Sequence, residues 1–207
     1  HGVYNKGGEL IADVLSIKNV DKNAIQNISG EAIVKNLIAD TMGNHGAYVE
    51  SGTLTVESGS IANAEANGFY LPENGGKLVL KDVKISTTGQ QGINNSSVVE
   101  AENITITGTG MNGIYNKPGA TMTVTGANIH DVAEHGINNK SVITITDLTV
   151  TNTGADSNSL QNNGTMTVTG AKLTGSKNHG LYNTGDLTAT DVTITNVANN
   201  GVYNDEN

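Results

Sequence analysis

The 207-residue chain contains no cysteine and no tryptophan, one phenylalanine and two prolines, and all eleven of its Lys/Arg positions are lysine. Without cysteine, neither a disulfide framework nor a thiolate metal site can form. Twenty acidic residues give a net charge of -9, which disfavours nucleic acid and anionic membrane surfaces, since both require a basic footprint. No apolar run approaches the ~20 residues of a membrane-spanning helix, so this segment is not expected to insert into a membrane. Helical periodicity is missing as well: threonine, asparagine and valine dominate, and no 3.6-residue pattern appears.

What the chain does have is a repeat. Close copies of Asn112-Gly113-Ile114-Tyr115-Asn116 recur throughout, with the glycine position filled by Gly2, Ala24, Gly46, Gly68, Gly92, Gly113, Gly136, Ser159, Gly180 and Gly201. The intervals are 21 to 24 residues. A period running from end to end implies a single repeat domain over 1–207 whose core grows lengthwise, and the sequence reads as a segment of a longer array. After each box comes a turn, then an alternating strand whose apolar pairs should point inward. These pairs are Leu10/Ala12, Ala32/Val34, Leu54/Val56, Leu78/Leu80, Val99/Ala101, Met122/Val124, Ile143/Ile145, Met166/Val168 and Leu187/Ala189. A second alternating run follows, blurred at Asn63 and Asp131. The residue after the glycine position is apolar in all ten boxes.

Three short strands per turn, each with an apolar column, predict an all-β fold: a right-handed parallel β-helix of about nine coils, ~43 Å long at strand spacing. A leucine-rich repeat would need a denser leucine framework, and a hexapeptide helix would need a repeat that is a multiple of six.

The boxes at Gly113, Gly136, Gly180 and Gly201, the threonine-rich strands and the absence of cysteine resemble right-handed β-helix passenger segments of bacterial autotransporters and other surface adhesins. More widely, they resemble the pectin-lyase-like superfold. The resemblance implies a secreted or cell-surface rod that functions in cell adhesion and virulence. It also raises the carbohydrate-active enzymes of that superfold as an alternative. The lyases there are associated with an arginine base, which this chain cannot supply. Galacturonase-like hydrolysis would need clustered aspartates, whereas Asp13, Asp82, Asp147 and Asp191 are read as one turn column spread over several rungs. The expectation is therefore no enzyme and no cofactor.

Four columns remain to be assigned. Asn5, Asn27, Asn95, Asn116, Asn139, Asn162, Asn183 and Asn204 stand three residues after the glycine position and are expected to form a structural amide ladder. One residue before the glycine position, histidines at 1, 45, 135 and 179 alternate with amides. At two rungs, ~9.6 Å, they are too far apart to share a metal, and His130-Asp131 lacks a zinc-protease spacing, so no metal is expected. All six tyrosines, Tyr4, Tyr48, Tyr70, Tyr115, Tyr182 and Tyr203, fall two residues after the glycine position. They should face outward, either stacking between rungs or forming a platform for a ligand. Outward threonines from Thr121 to Thr190 form a hydroxyl array that raises ice binding as a further alternative. The leading expectation is a non-enzymatic extracellular rod binding a host or bacterial surface glycan or protein, with self-association also open. Its rival is a purely structural stalk.

Overall fold

The computed structural model describes residues 1–205. Its strands form a right-handed parallel β-helix of about nine coils, with no helix among the described residues. Parallel pairing holds from coil to coil in every ladder, for example Ile93↔Ile114↔Ile137↔Leu160↔Leu181 along the box strands. Each of these short strands, such as Ile114–Asn116 and Ile137–Asn139, opens one coil.

The second and third runs are separate in the early coils, as in Thr53–Val56 and Gly59–Ala64. From Val98–Thr109 onward they continue as one long strand bent at a single corner residue. The corner is occupied by Asn103, Gly126, Asp147, Gly170 and Asp191, all with φ between 52° and 68°. That is the left-handed region, which glycine adopts freely and Asn and Asp tolerate.

A second left-handed column explains where the alternation blurs. Asn19, Thr41, Asn63, Thr87, Gly108, Asp131, Asn152, Gly175 and Asn196, one in each coil, have φ between 52° and 73°. Each resets the inward-outward sequence by one position, so the next residue, such as Met42, Thr88 or Val132, turns back into the core.

Burial follows the inward columns. The pairs from Ala32/Val34 to Met166/Val168 are buried, as are the residues after the glycine position from Ile25 to Leu181. The end coils are more open because no coil among the described residues covers their outer faces: Leu10, Ala12 and Leu187 are half-buried, and Ala189 and Val202 are exposed.

The glycine position is set by what packs against it. A Cβ on Gly113 would lie 2.5 Å from Ile129 Cγ2 and 2.6 Å from the Gly136 carbonyl oxygen. The same contact is made by Ile17, Ile61, Ile85, Ile106, Val150 and Ile194 at their own glycines. In the two coils that carry Ala24 and Ser159 instead, the third-strand residue in that register is Ala39 or Leu173, neither of them β-branched. Space lost at one position is released at the other. Gly113→Ala is therefore expected to overpack the coil and cost about 1–3 kcal/mol, seen as a lower midpoint in urea. An unchanged midpoint would show that this contact relaxes freely.

One column assignment is corrected by the register. Asp13 stands beside Lys35, one position before the corner that holds Asp82, Asp147 and Asp191. Its column reads Asp13, Lys35, Glu57, Lys81, Glu102, alternating in sign, and then continues in threonine. Lys35 meets Asp13 at 2.6 Å and Lys81 approaches Glu102 at 3.9 Å. The hydrogen bond from Lys35 holds the Asp13 carboxyl below its ordinary range, and the same contact raises Lys35. The reading of Asp13 as a corner residue failed because the early coils have longer, irregular turns, and counting along the sequence cannot see through them.

Candidate ligand-binding face

One face of the rod is built by the box strand and the residue preceding it. Because the residue after the glycine position is buried, the next one points outward, and this places the tyrosines on a common face. Tyr48 and Tyr70 stack with ring centroids 5.3 Å apart and 11° between planes; Tyr182 and Tyr203 do the same at 5.4 Å and 10°. At these separations nearly parallel rings are offset, leaving part of each face uncovered. Tyr4 stands alone among tyrosines, 5.6 Å from the His1 ring. Tyr115 lies near two ammonium groups, Lys117 at 5.7 Å and Lys140 at 5.6 Å from its centroid.

The column is not uniformly outward. Asn94, between Tyr70 and Tyr115, is buried. Lys117 reaches over it, with its Nζ 5.8 Å from the Tyr70 centroid and about as far from Tyr115. A lysine two residues beyond a tyrosine gave no indication in the sequence that it would roof a neighbouring coil.

Next to the rings, the histidine and amide column supports the backbone. Asn23 Oδ1 accepts the His45 N–H at 3.1 Å, His45 Nδ1 accepts the Asn67 N–H at 3.2 Å, and Asn67 Oδ1 accepts the Gln91 N–H at 3.1 Å. Histidine and asparagine thus do the same job, each accepting the next coil's amide. Burial pushes the His45 imidazole down to about 4, and His135 shifts in the same direction for the same reason. His130 hydrogen-bonds Asp131 at 2.9 Å. No group of three or more His, Asp or Glu side chains among the described residues could hold a metal ion.

Behind the tyrosines, the asparagine column bonds along the rod. Asn95 donates to Asn116, Asn116 to Asn139, Asn139 to Asn162, Asn162 to Asn183 and Asn183 to Asn204, at 2.7–2.9 Å. Asn5 donates to Asn27 at 2.8 Å. Where Val49 and Leu71 interrupt the column, Asn27 turns its amide to the Ser51 and Thr53 carbonyls. Asn95, Asn116, Asn139 and Asn162 are fully buried, and their bonds meet the requirement that buried amides be paired. Their place is inside the wall, behind the surface a ligand could reach.

The face also holds an open cleft of about 670 Å³. His1, Asn23, Gln26, His45, Tyr48 and Tyr70 line it, and Asp21 and Lys22 at its edge offset each other in charge. It exists because the second coil carries amides where its neighbours carry rings: Asn23 and Gln26 form a low floor between His1 and His45. Rings on the walls and amides on the floor suit a ligand with both apolar faces and hydroxyl or amide groups.

No protein-family model, curated protein or solved structure matches the chain. The reading of this face therefore rests on its geometry.

Proposed function

We propose that the chain is a non-enzymatic rod of the bacterial surface or secreted adhesin type, presenting its tyrosine face to a glycan on a host or bacterial cell. The observation that carries this reading is the cleft beside the stacked Tyr48 and Tyr70 rings, where aromatic faces and the Asn23 and Gln26 amides meet at an open surface. The rival is a stalk in which the stacked rings only stabilise the sheet. An assay of glycan and cell binding distinguishes the two, run on the parent chain and on a variant with Tyr48, Tyr70, Tyr182 and Tyr203 as serine. Binding by the parent and its loss in a variant that keeps its β-type circular dichroism is the expected result. Equal binding by both would remove the tyrosines from the account, and no binding by the parent would leave the stalk.

A second reading is favoured by the threonines. Thr123, Thr144, Thr167 and Thr188 stack in register beside Thr125, Thr146, Thr169 and Thr190, giving two adjacent hydroxyl columns over four coils. Such a lattice could order water and bind ice. It stops in the next coil at Glu100 and Glu102, which confines the hydroxyl lattice to a small patch. Slowed ice growth in the presence of the chain would move this reading ahead of the first.

A further inference from the structure

The aromatic face contains the same block twice. The column before the glycine position reads His1, Asn23, His45, Asn67 in the first four coils and His135, Asn158, His179, Asn200 in the last four boxes. In the tyrosine column, Gln26, Tyr48, Tyr70 correspond to Gln161, Tyr182, Tyr203, and these are the only two glutamines in that column. The two boxes without a glycine, at Ala24 and Ser159, are the same member of each block.

The contacts repeat as well. Asn23 donates to the Gln26 side chain at 3.2 Å, and Asn158 to Gln161 at 2.7 Å. Asn23 Oδ1 accepts the His45 N–H, and Asn158 Oδ1 the His179 N–H. His45 lies 6.1 Å and 4.8 Å from Tyr48 and Tyr70; His179 lies 5.9 Å and 4.9 Å from Tyr182 and Tyr203. The first member differs, since Tyr4 corresponds to Asn138. Each amide floor with its pair of stacked rings nonetheless occurs in two copies. The copies are six coils apart, ~29 Å along one face of a straight rod.

Two closely similar sites at a fixed separation on a stiff support gain most from a ligand that repeats along its own length. Once one site is occupied, the second binds at the high effective concentration that the shared chain imposes. Charges near the rings are of both signs, with Asp21, Glu50, Glu73 and Asp205 set against Lys22, Lys117 and Lys140, so neither sign dominates to select a charged polymer. A β-1,4-linked pyranose chain is extended, so it can span the distance, and its apolar ring faces and equatorial polar groups match rings beside amides.

Resting on the glycan-binding reading above, we propose that the two blocks are equivalent subsites occupied at once by a single strand of a neutral β-1,4-linked polysaccharide. The rod grips such a chain along its length, with no need for a chain end.

The test compares the trisaccharide of N-acetylglucosamine with glycol chitin, its long soluble polymer, by calorimetry. It uses the parent chain and two double variants, Tyr48→Ser/Tyr70→Ser and Tyr182→Ser/Tyr203→Ser. Gln26→Ala and Gln161→Ala, which leave the ring stacks in place, repeat the comparison in case loss of stacking disturbs the fold. The expected result is two trisaccharides per parent chain and one per variant chain at unchanged affinity. The polymer should bind the parent more than tenfold tighter than the trisaccharide does, and either variant should fall back to the trisaccharide level. Polymer affinity that changes only about twofold in the variants would overturn the bridging and leave glycan binding standing. No binding of either sugar to the parent would overturn the bridging proposal, while the broader glycan reading stands or falls by the glycan and cell-binding assay above.

Discussion

A chain carrying Ile114→Asp is expected to lose its cooperative β-sheet melting transition and to be cut by protease on both sides of the sixth box. Ile114 is fully buried, stacked between Ile93 and Ile137 in the column that runs the length of the core. Removing the side chain alone would cost about 2–5 kcal/mol. The carboxylate adds the penalty of a buried group with no partner, so the total exceeds roughly 5 kcal/mol. Each coil touches only its neighbours, so this loss falls on two interfaces in the middle of the rod, and the coils on either side have nothing else to join them. Melting followed by circular dichroism, together with mapping of the protease cuts, reads the outcome. A variant that melts like the parent would mean that Ile114 is not in the core.

Acid is expected to weaken the fold well above the range in which carboxylates titrate. The folded His45 imidazole titrates at about 4, whereas in an unfolded chain the value is ~6.5. Below the unfolded value the unfolded chain takes up a proton that the folded chain refuses, so stability falls as the pH drops from about 6.5 to about 4 and then levels off. Above pH 6.5 the contribution is fully present. For His45 the loss is at most ~3 kcal/mol, reduced in practice by the ring's partial access to water. His135 adds to it in the same direction. Asp13, Asp40 and Asp131 are held below their ordinary values, so their contributions are lost only in more acid solution. His45→Asn with His135→Asn is the decisive control, because Asn23 and Asn67 already perform the same acceptor role in neighbouring coils. The doubly substituted chain should keep a nearly constant melting temperature between pH 7 and pH 4.5, while the parent's falls. Parallel curves for the two chains would assign the acid loss to other groups.

How much of this was legible in the sequence depends on whether a feature repeats once per coil. The inward columns, the buried residue after the glycine and the outward tyrosines could be read by counting, because strand alternation converts position into direction. Two classes of feature could not. Thr41 and Thr87 sit in left-handed backbone although they are β-branched. Their side chains favour extended structure, and only the column shared with Asn63 and Gly108 forces the bend. Contacts between coils were also hidden: Lys117 covering Asn94, Asp13 meeting Lys35, and the exchange of Gly113 and Ile129 for Ser159 and Leu173 all depend on register between turns of unequal length. The duplicated block lay open in the sequence as two glutamines and two missing glycines. Its meaning emerged only when the ring and amide contacts of the two copies proved to match.

The asparagine ladder has a direction. Every amide from Asn95 to Asn183 gives its N–H forward to the oxygen of the next coil, and none gives it back. The row is thus a line of aligned dipoles in which each bond polarises the next and strengthens it. Val49 and Leu71 insulate this line from the short run formed by Asn5 and Asn27. The row consequently has an electrical head and tail: its amide N–H groups all point toward the Asn204 end and its amide oxygens toward the Asn95 end. Two such rods lying side by side are favoured in opposite orientations.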